Sequence, residues 1–167
     1  MRSYRKEKTI IGIVYLLSFF LLYKFVPKDK TRHAAVAFLF KQALTWLFGL
    51  IVVEKKLIDY PYCPIFKKAY KGSFSFEYFF YPVLCVLFNI HYPAKSSIVI
   101  KALYHLSHTS FITGIEVLTE KYTKLIRYKK WKWYYSFTSI WFVNYLSHVF
   151  YQWFFRDIFM KRNSVGE

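Results

Sequence analysis

Five apolar runs, separated by short stretches rich in lysine and arginine, set the pattern of this chain: residues 9–26, 33–53, 74–92, 98–117 and 133–155. Each is close to the roughly 20 residues an α-helix needs to cross a bilayer's hydrocarbon at about 1.5 Å per residue. In hydrocarbon every backbone N–H and C=O has to be satisfied internally, which makes such runs helices. The pattern therefore predicts an all-α fold, a single membrane domain over residues 1–167 arranged as an integral membrane bundle of five transmembrane helices. The first run follows a basic head (Arg2, Arg5, Lys6, Lys8), as a signal peptide would. Lys24, Pro27, Lys28, Asp29 and Lys30 at its end offer no small-residue cleavage site, so an uncleaved span is expected. Lys24 and Lys101 lie inside runs and are expected to reach back to the head groups.

Basic residues orient the bundle. With the N-terminus inside, the inner segments are the head, the 54–73 connection and the 118–132 connection, which together hold 15 Lys and Arg against seven in the outer segments. Basic residues near span ends are retained on the cytoplasmic side, so the N-terminus is predicted to be cytoplasmic and the C-terminus outside. Trp131, Trp133, Tyr134 and Tyr135 stand where the fifth run begins, and Tyr151 and Trp153 where it ends, as an interfacial aromatic belt would. The connection after the second run interleaves lysines with Leu57, Ile58, Tyr60, Tyr62, Ile65 and Phe66, and is expected to lie on the membrane surface.

Composition points the same way. Apolar residues make 56% of the chain, above the roughly 45–50% of a soluble domain. The formal charge of +16 sits in clusters between apolar runs and not along one face of a soluble fold. That placement argues against nucleic acid and for anionic lipid head groups on the cytoplasmic side. Lys67, Lys68, Lys129, Lys130, Trp131 and Trp133 are the expected head-group contacts. Cys63 and Cys85 form no disulfide framework or metal motif. No cofactor can be named from the sequence, and homo- and hetero-oligomers are both open.

Three strings, Ala37–Val53 (AFLFKQALTWLFGLIVV), Ser73–Pro93 (SFSFEYFFYPVLCVLFNIHYP) and Thr113–Tyr135 (TGIEVLTEKYTKLIRYKKWKWYY), together resemble an uncharacterised family of small multi-spanning membrane proteins of endospore-forming bacteria. The resemblance implies a location in a bacterial cytoplasmic membrane. It carries no activity.

Ionisable side chains in hydrocarbon cost about 2.5–3.5 kcal/mol each on an insertion scale, so they are the candidate site. Centring each run on the bilayer midplane puts Lys41, Gln42, His105, His108, Asn144 and His148 in one layer between the middle and the outer side. Glu77 and Glu116 fall nearer the inner side as a second, acidic layer. On the fourth run His105, Thr109 and Glu116 share a face, whereas Ser107, Ser110 and Gly114 lie opposite, which predicts a central helix with neighbours on two sides. His105, His108 and His148 can be read as a three-histidine metal site, or as neutral rings hydrogen-bonded between helices. Pro82 cannot donate to the Tyr78 carbonyl; the freed oxygen beside Glu77 either binds a cation or proton or only marks a bend.

Three functions are compatible with this pattern. The first is a membrane protein that handles a proton, a small ion or a polar lipid head group through its His/Lys/Glu cluster. The second is a non-catalytic scaffold or complex subunit binding anionic lipid or a partner protein. An intramembrane enzyme is the third and the least supported, because Ser107 and Ser110 lie on a different face from the histidines and no nucleophile–base–oxyanion set can be assembled.

Overall fold

A computed structural model describes residues 4–62 and 75–156, and these are almost entirely helical. Five α-helices stand among the described residues: α1 (Arg5–Phe25), α2 (Thr31–Glu54), α3 (Tyr81–Ile90), α4 (Ile98–Tyr122) and α5 (Trp133–Phe154). They fall on the five apolar runs. A 3₁₀ turn, Lys28–Lys30, joins α1 to α2, and a π-helical segment, Phe76–Phe80, leads into α3. Two helices, Arg5–Phe25 and Lys28–Glu54 counted with its 3₁₀ turn, are long and apolar enough to cross a membrane. α4 and α5 run for 25 and 22 residues, but His, Ser, Thr, Tyr and Trp dilute their apolar content.

The bundle buries polar side chains beside its apolar core and leaves many large apolar ones exposed. Lys41, Glu77, His105, Glu116, Asn144 and His148 are buried, while Leu16, Phe19, Leu39, Leu103, Phe111, Phe142 and Tyr145 are exposed. Each long helix packs through one narrow stripe at helical spacing, such as Ala34, Ala37, Lys41 and Gly49 on α2, and Val143, Asn144, Ser147, His148 and Tyr151 on α5.

The helix at the centre is α3, with Val83, Cys85, Val86 and Phe88 almost wholly covered. This corrects the expectation that the fourth run is central. On α4 only the His105, Thr109, Glu116 face is buried, and Ser107, Ser110 and Gly114 are exposed. A short and strongly apolar helix is the one that can be surrounded, because it leaves no polar face to place.

The two ends of the bundle are fastened differently. At one end β1 (Ile58–Asp59) pairs antiparallel with β2 (Arg127–Tyr128), Ile58 opposite Tyr128 and Asp59 opposite Arg127. Arg127 donates to the Asp59 carboxylate and Lys129 Nζ lies 3.6 Å from it. The Arg127 hydrogen bond, with both cations adding, holds the Asp59 carboxyl below its ordinary range. The start of α1 joins the same end: Lys6 Nζ donates to the Tyr122 carbonyl at 2.8 Å, the Lys124 N–H donates to Glu7 Oε1 at 3.3 Å, and Tyr4 stacks on Tyr62. The opposite end is held by aromatic contacts, with His33 stacked on Phe155 and 2.9 Å from the Tyr151 hydroxyl. Lys67 and Lys68, expected from the sequence to contact head groups, lie outside the described residues, as does Cys63.

Candidate functional site

Pro82 shapes the first wall of the site. The Tyr81 N–H reaches back five residues to the Phe76 carbonyl, so the Glu77 carbonyl loses its α-helical donor, and the next candidate donor, Pro82, has no N–H. The Tyr78 carbonyl loses its own α-helical donor to the same proline. Both oxygens are satisfied from α2: Thr45 Oγ1 donates to the Glu77 carbonyl at 2.7 Å and Gln42 Nε2 to the Tyr78 carbonyl at 3.2 Å. The freed carbonyl anticipated from Pro82 is thus spent on fastening α3 to α2.

Beside this joint lies a cavity of about 110 Å³. Lys41, Thr45, Gly49 and Val52 line it from α2, Phe76 and Glu77 from the π segment, and Tyr81 from the start of α3. Ile112 and Glu116 contribute from α4, and Ser136, Ser139, Ile140 and Val143 from α5. The spacings of three and four residues follow from each helix turning one face inward. Ile58, Tyr60, Ile126 and Trp131 close the end next to the β1–β2 ribbon.

The carboxylates are held by hydroxyls. Glu116 Oε1 accepts from Ser136 Oγ at 2.6 Å and from the Tyr128 hydroxyl at 2.8 Å, and Oε2 lies 3.5 Å from the Tyr81 hydroxyl. Glu77 Oε1 accepts from the Tyr60 hydroxyl at 3.0 Å. Trp131 Nε1–H donates to Ser136 Oγ at 2.8 Å. Trp131 therefore points inward, against its expected place among lipid head groups, while Trp133 is exposed. Burial pushes the Tyr60 phenol well above its ordinary range, and Glu77 adds to the shift. Tyr128 is likewise pushed up by burial, then by Glu116. Both phenols stay protonated and serve as fixed donors.

At the other end of the cavity Lys41, 3% exposed, donates to Asn144 Oδ1 at 2.8 Å. The two residues share a layer, as their depth in the sequence suggested, and Lys41 also faces the space that Glu77 and Glu116 line.

The histidine layer is different. Phe88 stands among the three rings, its centroid 5.3 Å from His105, 4.8 Å from His108 and 5.8 Å from His148. His105 Nε2 is 3.2 Å from the Trp141 carbonyl, and His148 is tied to Asn89 and Gln152, each at 2.9 Å. His108 Nε2 is buried with no hydrogen-bond partner. Among the described residues no group of His, Cys, Asp and Glu is arranged to hold a metal ion, so the three-histidine metal reading is not met. Phe88 fills the place an ion would take.

Comparison with protein-family models, curated proteins and solved structures finds no match. The site is thus interpreted from its own chemistry. The depth rule drew attention to Lys41, Asn144, Glu77 and Glu116. It missed Tyr60, Tyr81, Tyr128 and Ser136, which hold the two carboxylates, and Asn89, which holds His148. Tyr128, Ser136 and Trp131 carried one usable signal: hydroxyl and indole donors spaced close together just before and within the fifth run, at the depth of Glu116.

Proposed function

We propose that this chain is a five-span integral membrane protein of a bacterial cytoplasmic membrane, N-terminus inside, which handles a proton, a small ion or a small polar molecule in the cavity between Lys41 and the Glu77–Glu116 pair. The observation that carries this reading is a buried cation and two buried carboxylates lining one cavity inside a helical chain whose outer surface is apolar. Charged groups in hydrocarbon persist where they face water or a ligand, because burying them dry is costly. Five spans, against the two helices that meet the requirement by length and composition, are supported by the outward apolar side chains of α4 and α5. The orientation is supported by the meeting of three lysine-rich segments at one end: the start of α1, the chain after α2 and the α4–α5 connection. The family resemblance in the three quoted strings fits the same location.

The test is accessibility. In a background with Cys63→Ser and Cys85→Ala, a cysteine at cavity-lining Ser139 should react with a water-soluble thiol reagent, and one at outward-facing Phe142 should not. Absence of labelling at Ser139→Cys, or reporters at the two termini reading out on the same side, would sink the proposal. A scaffold role is favoured by exposed Lys129 and Lys130 beside the ribbon near exposed Trp133, and predicts loss of anionic-vesicle binding on Lys129→Gln/Lys130→Gln.

A further inference from the structure

The two charged ends of the cavity face each other without touching. Among the described residues Lys41 enters no ion pair; its one hydrogen-bond partner is Asn144, whose Nδ2 is buried and also unpartnered. Of the two, Lys41 lines the cavity, so that end presents the unused donors of its ammonium. The other end presents Glu116, held by Ser136 and Tyr128, together with Glu77.

Position along α5 gives the separation. Asn144, beside Lys41, and Ser136, beside Glu116, are eight residues apart on one helix, or about 12 Å. A hydrogen bond of about 3 Å at each end leaves about 6 Å to be spanned by a ligand. The wall over that stretch is apolar, formed by Phe48, Ile112, Ile140 and Val143. A volume of about 110 Å³ suits a molecule of several heavy atoms, since cavities of roughly 150 Å³ hold benzene.

A lone cation here would be opposed by Lys41 and a lone anion by the carboxylates. We infer that the cavity takes a small zwitterion, a primary amine joined by a short methylene chain to a carboxylate or phosphate. The acid group lies at Lys41, the ammonium at Glu116 and Glu77, and the methylenes along the apolar wall. This rests on the reading that the cavity holds a small ligand, and it names the class. The same chemistry occurs in free ω-amino acids and in the ethanolamine phosphate head group of a lipid.

The test uses the full chain in detergent, with 4-aminobutanoate and O-phosphoethanolamine as probes and butylamine and butyrate as half-ligands. At saturation either probe should slow thiol labelling of Ser139→Cys by about tenfold or more and raise the unfolding temperature, while neither half-ligand does so at the same concentration. Protection by 4-aminobutanoate alone marks a free solute, and protection by O-phosphoethanolamine a head group; each supports the inference. Lys41→Met and Glu116→Gln should each abolish protection, and Lys41→Arg should retain part of it. Free labelling that no zwitterion slows, or equal protection by butylamine, overturns the inference and leaves the cavity reading standing. Ser139→Cys closed to the reagent removes both.

Discussion

The two polar layers of this protein are built from similar materials to opposite ends. Around Phe88 the histidines of α4 and α5 pack against its ring; His105 and His148 are hydrogen-bonded to neighbouring helices, and His108 Nε2 is left unpaired. Around Glu116 the donors Ser136, Tyr128 and Tyr81 converge on one carboxylate, and space remains beside it. Buried polarity alone therefore does not mark a working site. Only the acidic layer faces a cation, Lys41 of the other layer, across unfilled volume.

Substitutions can break this contrast in order of size. Phe88→Ala should be the most damaging, removing a nearly inaccessible ring that all three histidines touch. A loss of about 3–5 kcal/mol is expected in unfolding from detergent, and a change under 1 kcal/mol would mean that the histidines are not packed on it. Ser136→Ala should cost about 1–3 kcal/mol, because it strips a donor from a buried carboxylate and an acceptor from Trp131. Titrating denaturant with and without the substitution measures this; a neutral result would mean that Glu116 is held some other way. The opposite sign is expected for His108→Phe, which keeps the ring against Phe88 and deletes an unpaired nitrogen, for a gain of about 1 kcal/mol. Destabilisation instead would give His108 a partner of its own.

The ribbon supplies the smallest effect. Asp59 has its carboxyl held low by Arg127, so the pair contributes above the ordinary aspartate value of about 3.9 and is lost as pH falls through the lower, folded value. For a partly exposed pair about 0.5 kcal/mol is at stake. Comparing the wild type with Asp59→Asn at about pH 6 and about pH 3 should show the difference shrinking in acid. A constant difference would assign the effect to packing.

Much of the fold was legible because apolar runs fix helix position along the chain. The boundaries of α4 and α5 fall within a few residues of the runs, and depth at about 1.5 Å per residue put Lys41 level with Asn144. Depth carries no information about how each helix is turned or which neighbour it meets. Hence Ser107, Ser110 and Gly114 read as a packing face and are exposed. Phe88, one apolar residue among many in its run, separates the histidines without any mark in the sequence. Pro82 announced the freed Tyr78 carbonyl; the π-helical turn that opens the Glu77 carbonyl, and the seating of α2 that brings Thr45 and Gln42 to meet both, were not legible.

That joint has a mechanical corollary. Because Thr45 and Gln42 grip main-chain oxygens and not side chains, α2 and the start of α3 cannot shift past each other without leaving two carbonyls without their donors. This half of the cavity is a fixed jaw. The opposite wall has no such main-chain grip on Glu116, which side chains alone hold: Ser136, Tyr128 and Tyr81.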